Sequence, residues 1–285
     1  RSGANEIPPY VSIENAYDWE RAYYLGSEHE PVRIGGSTPK EAVDNLLRDQ
    51  SHNDAQQRAQ LDLIRRLNQQ HAVTRPTQTD LNARINSYEL AYRMQMAAPE
   101  AFDLSKEPQK LHDLYGTGRD GHDGAFARNC LLARRLAERG VRMIQLYHRA
   151  WDHHGDIEKA MPSAAADVDR ASAALIRDLK QRGLLDDTLI LWGGEFGRTP
   201  MGQGSGRDHH ILAFSVFMAG GGSRGGTSFG ATDELGYRSV DDVVSVHDLH
   251  ATMLHLLGYS SDTELRDVQG RVIPVCRGDL IRAIV

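Results

Sequence analysis

Apolar residues recur at helical spacing through the first half of the chain and in short strand-length runs through the second. From Pro39 to about His71, Ala42, Leu46, Leu47, Leu61, Ile64 and Leu67 stand between charged neighbours. That spacing predicts two helices, or one broken near Ser51-His52-Asn53-Asp54. A further helix is expected from about Thr79 to Ala98, where Leu81, Ile85, Tyr88, Leu90, Tyr92 and Met94 lie between a threonine cap and Pro99. Phe126, Leu131, Leu132 and Leu136 mark another, closed by Gly140. The pattern then alternates. Val141–Tyr147 reads as a strand, Ala164–Arg182 as a helix closed by Gly183, Thr188–Trp192 and Phe214–Met218 as strands, and Asp248–Leu257 as a helix stopped by Gly258. Strands alternating with helices of this length imply an α/β fold with a mainly parallel sheet covered on both faces, preceded by a helical segment. Residues 1–40, with Pro8-Pro9, Gly35-Gly36 and Pro39, read as an irregular lead-in holding one short strand.

The chain has 285 residues, 40% of them hydrophobic, enough to bury a substantial core. The reading is a single domain, with a lead-in and helical segment over 1–120 and an α/β core over 121–285. A net charge of −6 and the lack of any Lys/Arg run argue against a nucleic-acid partner and leave small substrates as the better fit. Cys130 and Cys276 are too few for a disulfide scaffold or a thiolate zinc site. No segment approaches the roughly 18–20 apolar residues of a membrane span. The run Ala219–Gly226 has the composition of a phosphate loop but lacks the Gly-Lys-Ser/Thr ending, so it reads as a tight surface turn.

Chemistry concentrates late in the sequence. Eight of the thirteen histidines fall between His148 and His255, close to carboxylates in Trp151-Asp152-His153-His154-Gly155-Asp156, Gly193-Gly194-Glu195-Phe196-Gly197-Arg198-Thr199-Pro200 and Gly206-Arg207-Asp208-His209-His210. Imidazole with carboxylate is the donor set of zinc, manganese or iron, whereas all-oxygen sets suit calcium and magnesium. Asp152 and His154, two residues apart, can point to one side and share an ion. Glu195 is a ligand or a partner of Arg198. Asp208-His209-His210 contributes one or two imidazoles, with the neighbouring carboxylate orienting a ring. Arg198 and Arg207 suit an anionic group, or pair with Glu195 or Asp208. His247 and Asp248 read as the cap of the last helix. A Gly-x-Ser-x-Gly elbow does not occur, and Cys130 reads as buried packing within a helix.

The stretch Leu175–Ile190 resembles the helix-turn-strand of the alkaline phosphatase and sulfatase superfamily, and His247–Gly258 resembles its late Asp-Leu-x-x-Thr-Leu-x-x-Leu-x-Gly helix. Asn129–Leu136, Trp151–His154, the Gly-Gly-Glu-Phe-Gly-Arg-Thr-Pro run and Gly206–His210 are similar to a branch known as domain of unknown function 1501 (DUF1501). The resemblance implies a three-layer αβα sandwich with a divalent metal centre that hydrolyses phosphate or sulfate esters of small molecules or carbohydrates. The ions implied are zinc, manganese, iron or calcium. It places Asp152 and His154 at one metal position, Glu195 in the slot of a further carboxylate ligand, and His209 or His210 in that of a later histidine. Arg198 and Arg207 become the anion-stabilising residues. The superfamily's Ser-Asp-His or Ser-Asp-Asn is here Gly194-Glu195-Phe196, and Phe196 cannot be a ligand. Members of this branch are usually longer and exported, to the periplasm or beyond the cell. The expectation that follows is a carboxy-terminal portion lacking the strand with the nucleophile, and therefore inactive as it stands. The alternative is a non-catalytic secreted or surface binding protein that keeps the fold.

Overall fold

The structure is a computed structural model that describes residues 7–14, 29–35, 53–73, 79–118 and 122–285, together with Leu25. The helix expected from Pro39 and the break near Ser51 lie outside the described residues. Two compact units are formed, one by residues 1–148 with 267–271, the other by 149–266 with 272–285. Both α and β structure are present, and among the described residues the parallel pairing is confined to one short sheet.

That sheet belongs to the first unit and has the order β2-β1-β3, with β1 (Tyr10–Ile13) between β2 (Val32–Ile34) and β3 (Met143–Leu146). Both partners run parallel to β1, in the registers Ile13↔Ile34 and Ile13↔Leu146. The lead-in therefore supplies the central strand rather than a peripheral one. Its brevity hid this: Tyr10-Val11-Ser12-Ile13 offers too few positions to show a period, and burial on both faces erases the alternation that marks a half-exposed strand. Val11, Ser12 and Ile13 are all buried.

α1 (Asp54–Val73) packs on α2 (Thr79–Phe102), and α2 and α3 (Gln109–Tyr115) pack on α4 (His122–Glu138), which lies against β3. α2 continues past Pro99, where the sequence predicts its end. Ala98, Ala101 and Phe102 are buried there, and that burial offsets the hydrogen bond the proline cannot donate. Arg134 and Arg135, on consecutive positions of α4, both reach the carboxylate of Glu107. Arg134 also meets Glu138 at 2.6 Å, and Arg135 donates to the carbonyls of Ala101 and Glu100. Burial pushes the Glu107 carboxyl up, but the two guanidiniums outweigh it and hold the group below its usual range.

In the second unit all strand pairs are antiparallel. β4 (Ile190–Trp192) pairs with β7 (Phe217–Ala219), and β5 (Gly197–Gln203) with β6 (Gly206–His210). Two further ribbons follow, β8 (Ala231–Thr232) with β9 (Ser239–Asp241), and β10 (Glu264–Arg266) with β11 (Val272–Pro274). Among the described residues the expected mainly parallel sheet is thus realised only in β1–β3. α5 (Ile157–Gln181) begins seven residues before the expected start and carries Pro162 in its second turn, where the proline leaves the carbonyl of Glu158 without its intrahelical donor. It buries a stripe of small residues, Ala164, Val168, Ala171 and Ala174.

Helix ends follow the sequence closely. After α4 and α5, Gly140 and Gly183 adopt φ of 81° and 68°. Val141 N then reaches Leu136 O and Leu184 N reaches Leu179 O, the long bond of a Schellman motif. α6 (Val246–Leu256) is capped differently from expectation. Ser245, not His247, is its N-cap, and Asp248 completes a reciprocal capping box with it. The buried residue of α6 is Thr252, whose hydroxyl donates to Asp248 O and accepts from Ile281 N, while Leu257 is exposed. Both polar groups being satisfied explains why a threonine sits inward. Among the described residues no helix is long and apolar enough to cross a membrane.

Ile13→Ala removes a fully buried side chain from the central strand and is expected to lower the unfolding free energy by about 2–5 kcal/mol, measured by denaturant titration. A loss under about 0.5 kcal/mol would show that β1 is not part of the core.

Candidate metal centre

Asp152 and His154 sit on a loop that precedes α5 and is shaped by its own backbone. His153 N bonds to Trp151 O and His154 N to Asp152 O, two successive i to i+2 turns. Ala150 and Asp156, which bracket the loop, have positive φ of 70° and 49°. The left-handed region is unfavourable for both, and for alanine more than for aspartate, so the surroundings must hold the loop in place.

The β5–β6 hairpin does so. Arg207 N donates to His153 O at 2.9 Å, Ile157 N to Ser205 O at 3.1 Å, and Asp156 N to the Ser205 hydroxyl at 2.9 Å. Gly206 lies against the loop so closely that an added Cβ would stand 2.3 Å from His153 O and 2.2 Å from the His154 carbonyl carbon. Only glycine permits that approach. The stretches around Arg198 and Asp208 form this hairpin, turned at Gly204-Ser205.

The hairpin register puts His209 opposite Arg198. Three nitrogens then surround Asp152 Oδ1: Arg198 Nη2 at 2.8 Å, His209 Nε2 at 2.9 Å and His154 Nε2 at 3.0 Å. The two imidazole Nε2 atoms are 3.2 Å apart. Asp152, His154 and His209 are the set of residues, among those described, whose ligand atoms lie within 4.8 Å of one another and could hold a metal ion. Their separations of 2.9–3.2 Å fit ligands about a divalent ion: donors at about 2.0–2.1 Å stand roughly 3 Å apart in such a shell. Phe196 packs its ring on His209 at 4.6 Å between centroids, so the residue that cannot ligate supports one that can. His154 Nδ1 donates to Gln203 Oε1 at 2.6 Å.

The other expected ligands do not join. Glu195 is exposed in the bend between β4 and β5, outside the triad. Arg198 pairs with Asp152 and not with Glu195. His210, paired with Gly197, is buried and its Nε2 meets Gly236 O at 3.2 Å beside the Tyr237 ring. Adjacent strand residues face opposite sides, so His209 and His210 cannot serve one site. Arg207 reaches across the hairpin to Thr199 O, and Asp208 accepts from the His209 backbone N–H rather than orienting a ring. Gln203 was not among the candidates; only the two-residue turn Gly204-Ser205 signals that it belongs to a hairpin facing this loop. Trp151 stands edge-on to Trp192, whose ring stacks on Phe217.

The hydrogen bonds from His209 and then Arg198 lower the Asp152 carboxyl from 3.8 to about 2. Because the folded value is depressed, this stabilisation is fully present above about pH 4 and is lost as the pH falls through about 2. A carboxyl NMR titration is expected to show Asp152 ionised down to about pH 2, and Arg198→Ala to move the midpoint up toward 3.8. An unchanged midpoint in that variant would remove Arg198 from the site.

Gly206→Ala is expected to displace the loop or the hairpin, because its methyl meets backbone on both sides. The His154–His209 proximity, read as cross-ring nuclear Overhauser effects, should vanish with a fall in melting temperature.

No curated protein and no solved structure compared with this chain matches it. A family model described as protein of unknown function (DUF1501) does match, over residues 1–285, and the chain belongs to that family.

Proposed function

We propose that this protein is a metal-dependent hydrolase of phosphate or sulfate esters, with a centre built on Asp152, His154 and His209. The observation that carries the reading is the convergence of one carboxylate and two imidazole nitrogens within 3.2 Å, from a loop and a hairpin 55 residues apart. Two nitrogen donors and one oxygen favour zinc, manganese or iron over calcium. A divalent ion there supplies Lewis acidity toward a phosphoryl or sulfuryl oxygen. Asp152 and the two histidines hold its place, and Gln203 orients His154. Arg198, delivered to Asp152 by β5, is the group that can exchange that carboxylate for the anion of a substrate. The finer fold assignment, a three-layer αβα sandwich of the alkaline phosphatase type, is part of the same proposal, supported by the sequence motifs.

One observation favours the second reading, a binding protein without turnover. The triad is open to solvent, with Asp152 66% and the histidines 42–43% exposed, whereas efficient hydrolytic sites exclude water.

The deciding experiment measures metal content and turnover on the same preparation. Stoichiometric zinc, manganese or iron is expected in the wild-type chain and its loss in an Asp152→Ala/His209→Ala double variant. Cleavage of aryl phosphate or sulfate esters, abolished by chelator and restored by metal, marks the hydrolase. Metal without turnover marks the binding protein, and no metal in the wild type overturns both metal-based readings.

A further inference from the structure

We infer that Gln203 is the positioning residue of the metal centre, selecting the tautomer in which His154 offers its Nε2 lone pair to a cation. The inference rests on the proposed metal site and adds a residue that the family motifs do not contain. A neutral imidazole carries one N–H, and whichever nitrogen donates leaves the other as the ligand. Gln203 Oε1 is a carbonyl oxygen 2.6 Å from His154 Nδ1, and as an acceptor it requires the proton on Nδ1. Nε2 is then the bare nitrogen, and it is the one facing Asp152 Oδ1 at 3.0 Å and His209 Nε2 at 3.2 Å.

This assignment leaves two lone pairs, His154 Nε2 and Asp152 Oδ1, facing each other at 3.0 Å, an arrangement that a cation between them satisfies. With His154 Nε2 an acceptor, the proton in the triangle belongs to His209 Nε2. From there it is donated to Asp152 Oδ1 at 2.9 Å, with His154 Nε2 alongside at 3.2 Å. Asp152 Oδ1 takes a second donor, Arg198 Nη2, at 2.8 Å. His154 is therefore set for ligation before any ion arrives, whereas His209 has to change tautomer. The arrangement is the outer hydrogen bond that metal-binding histidines ordinarily make, here from an amide rather than a carboxylate. Gln203 is carried by the same hairpin as Arg198 and His209, beside Gly204-Ser205-Gly206. The segment that supplies the second imidazole thus also sets the first.

The test compares wild type, Gln203→Leu and Gln203→Glu. Imidazole nitrogen NMR on the metal-free wild type should show His154 with its proton on Nδ1; a proton on Nε2 overturns the inference without recourse to any variant. Zinc affinity, measured by competition with a chromophoric chelator, should fall about 10–100-fold in Gln203→Leu and stay within about threefold in Gln203→Glu, which keeps the acceptor. Melting temperatures within a few degrees of wild type establish that the loss is local. Wild-type zinc binding with an undiminished Gln203→Leu affinity overturns the role of Gln203 alone, whereas absence of zinc from the wild type overturns the metal site with it.

Discussion

The second unit depends on a contact between two backbones. Gly206 lies on the His153–Gly155 peptides at a distance that no side chain tolerates, and around that contact three main-chain N–H groups of the loop and hairpin find acceptors. Its effect is geometric. A loop held at both ends in left-handed conformations by Ala150 and Asp156 has few reasons of its own to stay ordered, and the hairpin supplies them. The same docking fixes which hairpin residues face Asp152. Since alternate strand residues point to opposite sides, the register that brings His209 to the triad sends His210 to Gly236 and Tyr237.

Much of the fold was legible because it is written in local chemistry. Glycines at 140 and 183 end helices through left-handed caps that their sequence positions announce. The strands ending near Leu146 and Trp192 follow short apolar runs, and α6 occupies nearly its expected span. What escaped is non-local. Four residues, Tyr10–Ile13, become the centre of the parallel sheet only through partners 21 and 133 positions away. Thr252 sits inward because Ile281 N, 29 positions on, needs its hydroxyl. The crowding of imidazole and carboxylate pointed to Asp152, His154 and His209, whose side chains the structure brings together. It could not separate His209 from His210, nor exclude Glu195, because neighbouring residues share a motif whichever way they point.

The first unit meets a different constraint, the burial of two adjacent cations on α4. Arg134 and Arg135 are almost wholly enclosed, and removal of a charge from water is tolerated when opposite charge stands beside it. Glu107 answers both guanidiniums, with Glu138 and the carbonyls of Glu100 and Ala101 taking further donors. The last turn of α2, carried beyond Pro99, is where those two carbonyls lie, so the extension of that helix and the burial of Arg135 support each other.

Asp152 Oδ1 is where the functional argument narrows. One oxygen serves Arg198, His154 and His209, and an exposed carboxylate so surrounded remains ionised far below neutral pH. An ion bound by the triad and the guanidinium of Arg198 would therefore bid for the same negative charge. If the ion takes Oδ1, Arg198 loses its partner; its Nη1 already lacks a hydrogen bond among the described residues, so the displaced guanidinium would be left with donors to satisfy. An anionic ester meets that need. On the proposed function, occupation of the triad and recruitment of an anion would be coupled through a single carboxylate oxygen. Such a coupling would suit the proposed hydrolysis of a phosphate or sulfate ester, and an isolated pairing of Arg198 with Glu195 would not supply it.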